Sequence, residues 1–283
     1  VLDSTVSAAD FAFVAQLVRA QCGLVIEPGK EYLVRGRLTP IAQRLGLSSI
    51  HELVDRLRSS TTPGLATQVV EAMVTTETSF FRDLHPFEAI RKVVLPELIA
   101  RRQATRQLRI WFAASSSGQE PYSMALLLRE YFPELDQWQI LLQATDFSQE
   151  MLERSRAGRY SQIEVNRGLP THLLLKWFRQ EGVSWELDDR IRSLVSFTPL
   201  NLAHPWPAMP PWDLVFMRNV LIYFDVDLKR TILRNVARVL SPDGYLLLGG
   251  AETTLTLVDS FQRIEIAKSS FYQRAQSTGL TQP

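Results

Sequence analysis

The run of small and polar residues Ala114-Ser115-Ser116-Ser117-Gly118-Gln119-Glu120-Pro121 is where chemistry is easiest to place in this chain. It follows the apolar stretch Leu108 to Ala114. With no bulky side chain in the way, a ligand can approach backbone N–H groups at the start of a following helix, where the helix dipole favours polar and anionic groups. The run lacks the G-x-G-x-x-G spacing, which disfavours a dinucleotide. A second apolar stretch, Gln139 to Thr145, ends at Asp146. An acid at the end of the second strand of an open α/β sheet accepts ribose hydroxyls. Loop and acid together fit a nucleoside-like ligand, but they also fit an α/β turn that binds nothing. The four histidines, His51, His85, His172 and His204, are scattered without metal-ligand spacing. The single cysteine, Cys22, has no partner for nucleophilic catalysis and reads as a small buried hydrophobe.

The elements that must position these residues follow from periodicity. Residues 10 to 75 read as helices: Phe11, Val14, Leu17 and Val18 recur at helical spacing behind Asp10 as N-cap. Tyr32 to Leu45, His51 to Arg58 and Leu65 to Val74 continue the pattern. Leu108 to Ala114, Gln139 to Thr145, Leu194 to Thr198, Trp212 to Met217 and Gly244 to Gly249 read as strands. Helices at Tyr122 to Tyr131, Gln149 to Arg156 and Val226 to Leu240 alternate with them. Phe261 to Ile266 and Ser270 to Arg274 read as a closing antiparallel pair. Alternation of this kind predicts a parallel, doubly wound sheet. The stretch 158 to 194 breaks the rhythm with a helix near Pro170 to Trp177 and a hairpin turning at Glu181-Gly182, and reads as an inserted subdomain.

Composition narrows the classes further. A chain of 283 residues with 46% hydrophobic content can bury one large core and a smaller one. Its 31 basic and 30 acidic residues nearly cancel, so no global field for nucleic acid is expected. One cysteine fits a reducing compartment. No apolar run approaches the length of a bilayer span, so membrane insertion is not expected. The start, Val-Leu-Asp-Ser, lacks the basic and apolar regions of a secretory signal.

Four segments, in order, carry a resemblance. They are Thr76-Glu77-Thr78-Ser79-Phe80-Phe81-Arg82-Asp83, Trp111 through Ser123, Ala144-Thr145-Asp146, and Arg218-Asn219-Val220-Leu221-Ile222-Tyr223-Phe224-Asp225. Together they resemble the motifs of the CheR-type chemoreceptor glutamate methyltransferases, and the likeness covers nearly the whole chain. The resemblance implies an α/β fold: a Rossmann-like methyltransferase domain over 86–283 with a small antiparallel β insertion at about 158–194. An all-helical receptor-docking domain over 1–85 precedes it. It implies S-adenosylmethionine as cofactor, S-adenosylhomocysteine as product and no metal. Thr76, Thr78, Arg82, Ala114, Glu120, Asp146, Asn201, Leu202, Asn219 and Val220 are implied as cofactor contacts. Thr78 and Arg82 belong near its methionine end, Glu120 near its amino group, Asp146 on the ribose, and Asn201 and Leu202 beside adenine. Arg82 and Tyr223 are the implied catalytic residues. The partner is the cytoplasmic methylation helices of a chemoreceptor, reached by a cytoplasmic, monomeric enzyme recruited to membrane-bound receptors. Gln119 stands where the family usually has an acid, and Thr76 where it often has Asn. Both departures bear on cofactor affinity. The inserted hairpin is shorter than in members that dock a receptor's C-terminal pentapeptide, which implies independence of such a tether.

The chemistry fits a site without a general base. A glutamate, with a reference pKa of about 4.3, is already an ionised nucleophile at neutral pH. Transfer to it needs orientation and exclusion of water. Arg82 is then expected to position the carboxylate and Tyr223 to orient it or the methyl group. Each residue has a plainer alternative: an ion pair of Arg82 with Glu77 or Asp83, a core position for Tyr223, a helix cap at Asp146, a turn at Asn219. Phe80, Phe81, Trp111 and Trp212 read as core. Arg35, Arg37 and Arg44 form either a solvated helix face or a stripe that docks the acidic receptor helices. A small-molecule methyltransferase of the same fold, or a non-catalytic module that binds the cofactor or its product, would carry much of the same pattern.

Overall fold

The computed structural model describes residues 2–59 and 62–275. By contacts the chain divides into two units. The first holds Val1–Thr75 with Asn201–Pro205 and Tyr223–Leu228, and the second holds the remainder.

The helical unit contains α1 (Ala8–Cys22), α2 (Glu31–Arg44), α3 (Ile50–Arg58) and α4 (Leu65–Met73). Each buries an apolar stripe: Val14 and Val18 on α1, Val34 and Leu38 on α2, Leu53 and Val54 on α3, Val69 and Val70 on α4. The N-cap of α1 is Ser7, not Asp10 as the sequence suggested. Ser7 Oγ accepts from the Asp10 N–H at 3.1 Å and donates to the Asp10 carboxylate at 2.7 Å. Asp10 is thus the acid of the first turn, where the helix dipole favours it. The segment Tyr223–Leu228 is tied in through the Val25 N–H, which donates to the Tyr223 carbonyl at 2.9 Å, and an Arg19–Asp225 ion pair at 2.7 Å.

In the sheet unit, α5 (His85–Ala89) runs through a π-helical turn, Ile90–Val94, into α6 (Leu95–Arg102). There follow β1 (Gln107–Ala113), α7 (Gln119–Tyr131), β2 (Gln139–Asp146) and α8 (Gln149–Ala157). The insertion comes next: β3 (Arg159–Ser161), α9 (Gln162–Asn166), α10 (Thr171–Trp177), β4 (Phe178–Glu181), β5 (Ser184–Leu187) and α11 (Asp189–Arg192). The chain returns to the main sheet with β6 (Val195–Pro199) and β7 (Trp212–Met217). It closes with α12 (Val226–Val239), β8 (Leu240–Leu248), β9 (Phe261–Ile266) and β10 (Ser269–Arg274).

The main sheet has seven strands in the order β6-β2-β1-β7-β8-β10-β9. The first five are parallel; β10 runs antiparallel to both β8 and β9. This is the doubly wound sheet with a closing antiparallel pair that the sequence predicts. Its central strand, β7, is buried along its whole length, as a strand covered on both faces must be. Phe80, Phe81, Trp111 and Trp212 are core residues. The insertion is a three-stranded sheet, β3-β5-β4, whose β4–β5 hairpin turns through Gly182-Val183 alone. Gly182 has a φ of +59°, which a tight turn of this kind asks of its first central residue. No described helix is long and apolar enough to cross a membrane.

The chain moves outward from β1 to β2 and β6 on one side, and then from β7 to β8 on the other. The topological switch point therefore lies between β1 and β7, and ligands of open α/β sheets bind at the carboxyl ends flanking that point.

Candidate functional site

The loop that leaves β1 at the switch point is held in an unusual backbone shape. Ala114, Ser116 and Gly118 all have positive φ, at +55°, +51° and +90°. Two of them are not glycine, and strain of this kind persists only where surroundings enforce it. At Gly118 the reason for glycine is also steric: a Cβ there would lie 2.9 Å from Ser155 Oγ. The enforcing bonds are specific. The Ser116 N–H donates to Asp146 Oδ2 at 2.7 Å, and Ser116 Oγ donates to the Thr76 carbonyl at 2.6 Å. The Ser115 N–H donates to the Thr145 carbonyl, and Tyr160 Oη to the Ser117 carbonyl, both at 2.9 Å. Asp146 Oδ1 also accepts from the Ser148 N–H at 2.9 Å. Asp146 thus fixes the β1 loop and the turn into α8 together, which is more than a helix cap.

Gln119, only 2% exposed, opens α7 and reaches two ways. Its Oε1 accepts from Ser117 Oγ at 2.9 Å, and its Nε2 donates to Glu164 at 3.4 Å. Glu164 is also held by Arg154 at 2.5 Å and by the cap of α9. An acid at position 119 would face a carboxylate here, so the amide is the better fit to this surrounding.

The loop leaving β7 is the second half of the site. Arg218 sits at the strand end with its side chain 2% exposed. Its guanidinium donates to the Glu120 carboxylate on α7, and to Asp83 Oδ2 at 2.6 Å. Asn219 has a φ of +56°, and its N–H donates to Glu252 Oε2 at 2.7 Å. The same carboxylate accepts from the N–H groups of Gly249 at 2.7 Å and Ile222 at 3.2 Å. A Cβ at position 249 would lie 2.7 Å from that carboxylate and 2.9 Å from the Asn219 backbone nitrogen, so a larger residue would displace this loop. Arg218 and Glu252 were not singled out as site residues in the sequence reading, although Arg218 directly precedes Asn219 at a strand end facing the switch point.

Arg82 is half-buried and donates to the Glu77 carbonyl at 3.1 Å. The carboxylates beside it are engaged elsewhere. Glu77 pairs with Arg167, which lowers its pKa through that hydrogen bond and charge, and Asp83 pairs with Arg218. Among the described residues Arg82 forms no ion pair with Glu77 or Asp83, although its charge helps to lower the pKa of Glu77. Thr78 and Val220 are half-buried in the same unit.

Tyr223, Asn201 and Leu202 belong to the helical unit. Tyr223 is half-buried. Asn201 is in a turn: its Nδ2 donates to the Gln21 carbonyl at 2.7 Å and its Oδ1 accepts from the Ala203 N–H at 3.0 Å. Leu202 is buried.

The three arginines of α2 do not form one stripe. At about 100° per residue, Arg35 and Arg37 point about 160° apart, while Arg37 and Arg44 share a side. Arg37 donates to the carbonyls of Ala72 and Val74 at the end of α4, at 3.2 and 3.3 Å. Arg44 donates to Gln68 of α4 at 3.0 Å, and Arg35 is exposed.

Two polar atoms in these loops, Ser115 Oγ and Asn219 Oδ1, are buried without a hydrogen-bond partner. They lie on the segments flanking the switch point. A nucleoside-bearing ligand with donors and acceptors along its length fits that inventory. Among the described residues no cluster of His, Cys, Asp or Glu could hold a metal ion.

Comparison with known proteins agrees with this geometry. The family model described as "CheR methyltransferase, SAM binding domain" matches residues 76–270, and "CheR methyltransferase, all-alpha domain" matches residues 9–74. Chemotaxis protein methyltransferase 1 of Pseudomonas aeruginosa is 40% identical over 269 residues, 94% of this chain and 97% of that protein. Chemotaxis protein methyltransferase Cher2 of Pseudomonas putida is 38% identical, covering 93% of this chain and 97% of its own. Chemotaxis protein methyltransferase 1 of Vibrio cholerae is 36% identical over 95% of this chain and 98% of its own. The chain therefore belongs to the CheR methyltransferase family and is an S-adenosylmethionine-dependent protein methyltransferase.

Proposed function

We propose that the protein methylates glutamate side chains of a chemoreceptor, giving glutamate methyl esters and S-adenosylhomocysteine. The observation that carries this reading is the state of Arg82. It is a half-exposed cation beside the cofactor loop whose neighbouring carboxylates, Glu77 and Asp83, are held by Arg167 and Arg218. Its planar fork keeps further donors for an incoming carboxylate. The names of the relatives, which are chemotaxis methyltransferases, point to the same class of substrate.

When bound, S-adenosylmethionine supplies an electrophilic methyl group. Asp146 is then the ribose acceptor, with Asn201 and Leu202 beside adenine, Thr76, Ala114, Asn219 and Val220 lining the pocket, and Thr78 and Glu120 toward the methionine end. Arg218 fixes the Glu120 carboxylate for that task. Arg82 orients the acceptor carboxylate by charge-assisted hydrogen bonds, and Tyr223 restricts it or the methyl. Opposite charges vanish along the reaction, so a dry site favours the transition state. Arg82→Ala is expected to lose turnover by at least a hundredfold while retaining affinity for S-adenosylhomocysteine. Unchanged turnover would remove Arg82 from the mechanism.

The enzyme works in the cytoplasm as a monomer recruited to membrane-bound receptors. The two-residue turn of the β4–β5 hairpin supports independence of a receptor C-terminal pentapeptide. Calorimetry should detect no micromolar binding of such a peptide. On α2, Arg35 is the arginine left for docking an acidic helix, since Arg37 is committed to α4 carbonyls. Arg35→Glu should raise the Michaelis constant for receptor and leave cofactor affinity alone.

A further inference from the structure

Beside the Arg218 cluster the sheet unit contains a cavity of about 430 Å³. The turn Gly249-Gly250-Ala251 after β8 lines one side, and residues of the β9–β10 hairpin line another. Arg218, Arg263 and Lys268 contribute three cations to its wall. The acids there, Asp83 and Glu252, are already engaged: Asp83 with Arg218, Glu252 with three backbone N–H groups. Arg263 pairs with Glu265 at 2.5 Å, while Lys268, at the hairpin tip, makes no ion pair among the described residues.

Two donors on this wall lack partners. Arg218 Nε and Ser269 Oγ are buried and unbonded, in side chains or residues only 2% and 7% exposed. A buried polar group left unsatisfied is destabilising, so two on one cavity wall point to an acceptor arriving from outside. The surplus of donors and the unpaired Lys268 select an anionic acceptor. A singly charged carboxylate suits the site better than a phosphate, whose second charge would meet Asp83 and Glu252.

We propose that this cavity receives a second acidic side chain of the protein substrate, one flanking the glutamate that accepts the methyl group. Ser269 Oγ and Arg218 Nε donate to it, and Lys268 supplies charge at the entrance. Arg218 also grips Glu120 at the start of α7, so a carboxylate seated here is registered against the cofactor loop. The proposal rests on the receptor-glutamate reading above. It adds that acidic neighbours, beyond the acceptor itself, select the site of methylation.

The test uses the full chain, a receptor cytoplasmic fragment, and the same fragment with acids flanking each acceptor glutamate changed to Gln. With the acidic fragment, Lys268→Glu should raise the Michaelis constant about tenfold at low salt, an effect that shrinks at high salt. Ser269→Ala should raise it about threefold while melting temperature is unchanged or higher, because an unsatisfied hydroxyl has been removed. Turnover number and S-adenosylhomocysteine affinity should not move. On the neutralised fragment the Michaelis constant of the wild type should rise about tenfold, and both variants should match it there. Variants that bind the acidic fragment like wild type, or whose deficits persist on the neutralised one, overturn the proposal. A wild type that methylates neither fragment overturns both it and the functional reading on which it rests.

Discussion

The guanidinium of Arg218 and the carboxylate of Glu120 are hydrogen-bonded across the switch point of the sheet, joining the end of β7 to the first turn of α7. Arg218 is nearly inaccessible, Glu120 is 13% exposed, and Asp83 takes the second nitrogen. Removing one partner of a buried ion pair strands the other. Arg218→Ala should therefore destabilise the protein by about 3 kcal/mol, the lower end of that class because Asp83 keeps its water. Arg218→Lys, which cannot span both carboxylates in one plane, should recover less than half. Urea unfolding measures both; a loss below about 1 kcal/mol would show that the pair is not a structural tie.

Glu252 holds the conformation of the Asn219 loop from behind. Its carboxylate binds the N–H groups of Asn219, Gly249 and Ile222. Glu252→Ala leaves them without that partner and should lower S-adenosylhomocysteine affinity by about tenfold or more, read by calorimetry. Glu252→Gln keeps an acceptor oxygen and should restore most of the affinity. Equal losses in the two variants would mean that charge, not geometry, is what the loop requires.

These two residues also mark the limit of the sequence as a guide. The β1 loop and Asp146 were legible because small residues after an apolar run, and an acid at a strand end, have meanings that depend only on neighbours. The alternation of strands and helices revealed the doubly wound sheet for the same reason. Arg218 follows a strand and opens a motif, but its role is not legible locally, since its partners lie 98 and 135 positions away. Glu252 is 33 positions from Asn219, and nothing local announces the link. The arginines of α2 are a different case. Their angular spacing was readable and argues against one stripe, whereas the destination of Arg37 at the α4 carbonyls depends on how helices pack. Asp10 reads as a cap because it directly precedes the first apolar residue of the periodic run; Ser7, three residues earlier, is the cap it assists.

Position 119 gives a third prediction. The Gln119 amide is buried against Glu164. Gln119→Glu would bring two carboxylates together, and both burial and repulsion would raise the new group's pKa in the folded state. A raised acid costs stability above its folded pKa and nothing below its unfolded one. The variant should be less stable by about 1–2 kcal/mol at pH 8 and approach wild type near pH 4.5. A variant equal to wild type at pH 8 would show that position 119 tolerates the acid common in its family.

The helical unit carries its own pH dependence. Asp10 is buried, which alone would raise its pKa, but hydrogen bonds from Ser7 and His51 and the charges of His51 and Arg58 bring it below the ordinary value. His51 is raised, chiefly by its hydrogen bond to Asp10 at 3.0 Å, with the charges of Asp10 and Asp55 adding to it. A raised histidine stabilises the fold below its unfolded pKa, and that contribution fades as pH rises through the folded value. A lowered aspartate stabilises above its unfolded pKa and loses that effect as pH falls through the folded one. The junction of α1 and α3 should be firmest at mildly acidic pH. Amide exchange of these helices should speed up as His51 deprotonates, beyond the intrinsic rate, and His51→Gln should abolish the step. An NMR titration placing His51 at or below the ordinary histidine value would contradict this.

A protein carboxylate is the proposed acceptor of the methyl group. Incubation of the purified protein with methyl-labelled S-adenosylmethionine and membranes containing a chemoreceptor tests it most directly. Label should appear on the receptor, and mild base should release it as methanol, as an ester must. Base-stable label, or no label on the receptor in the presence of bound cofactor, would contradict it.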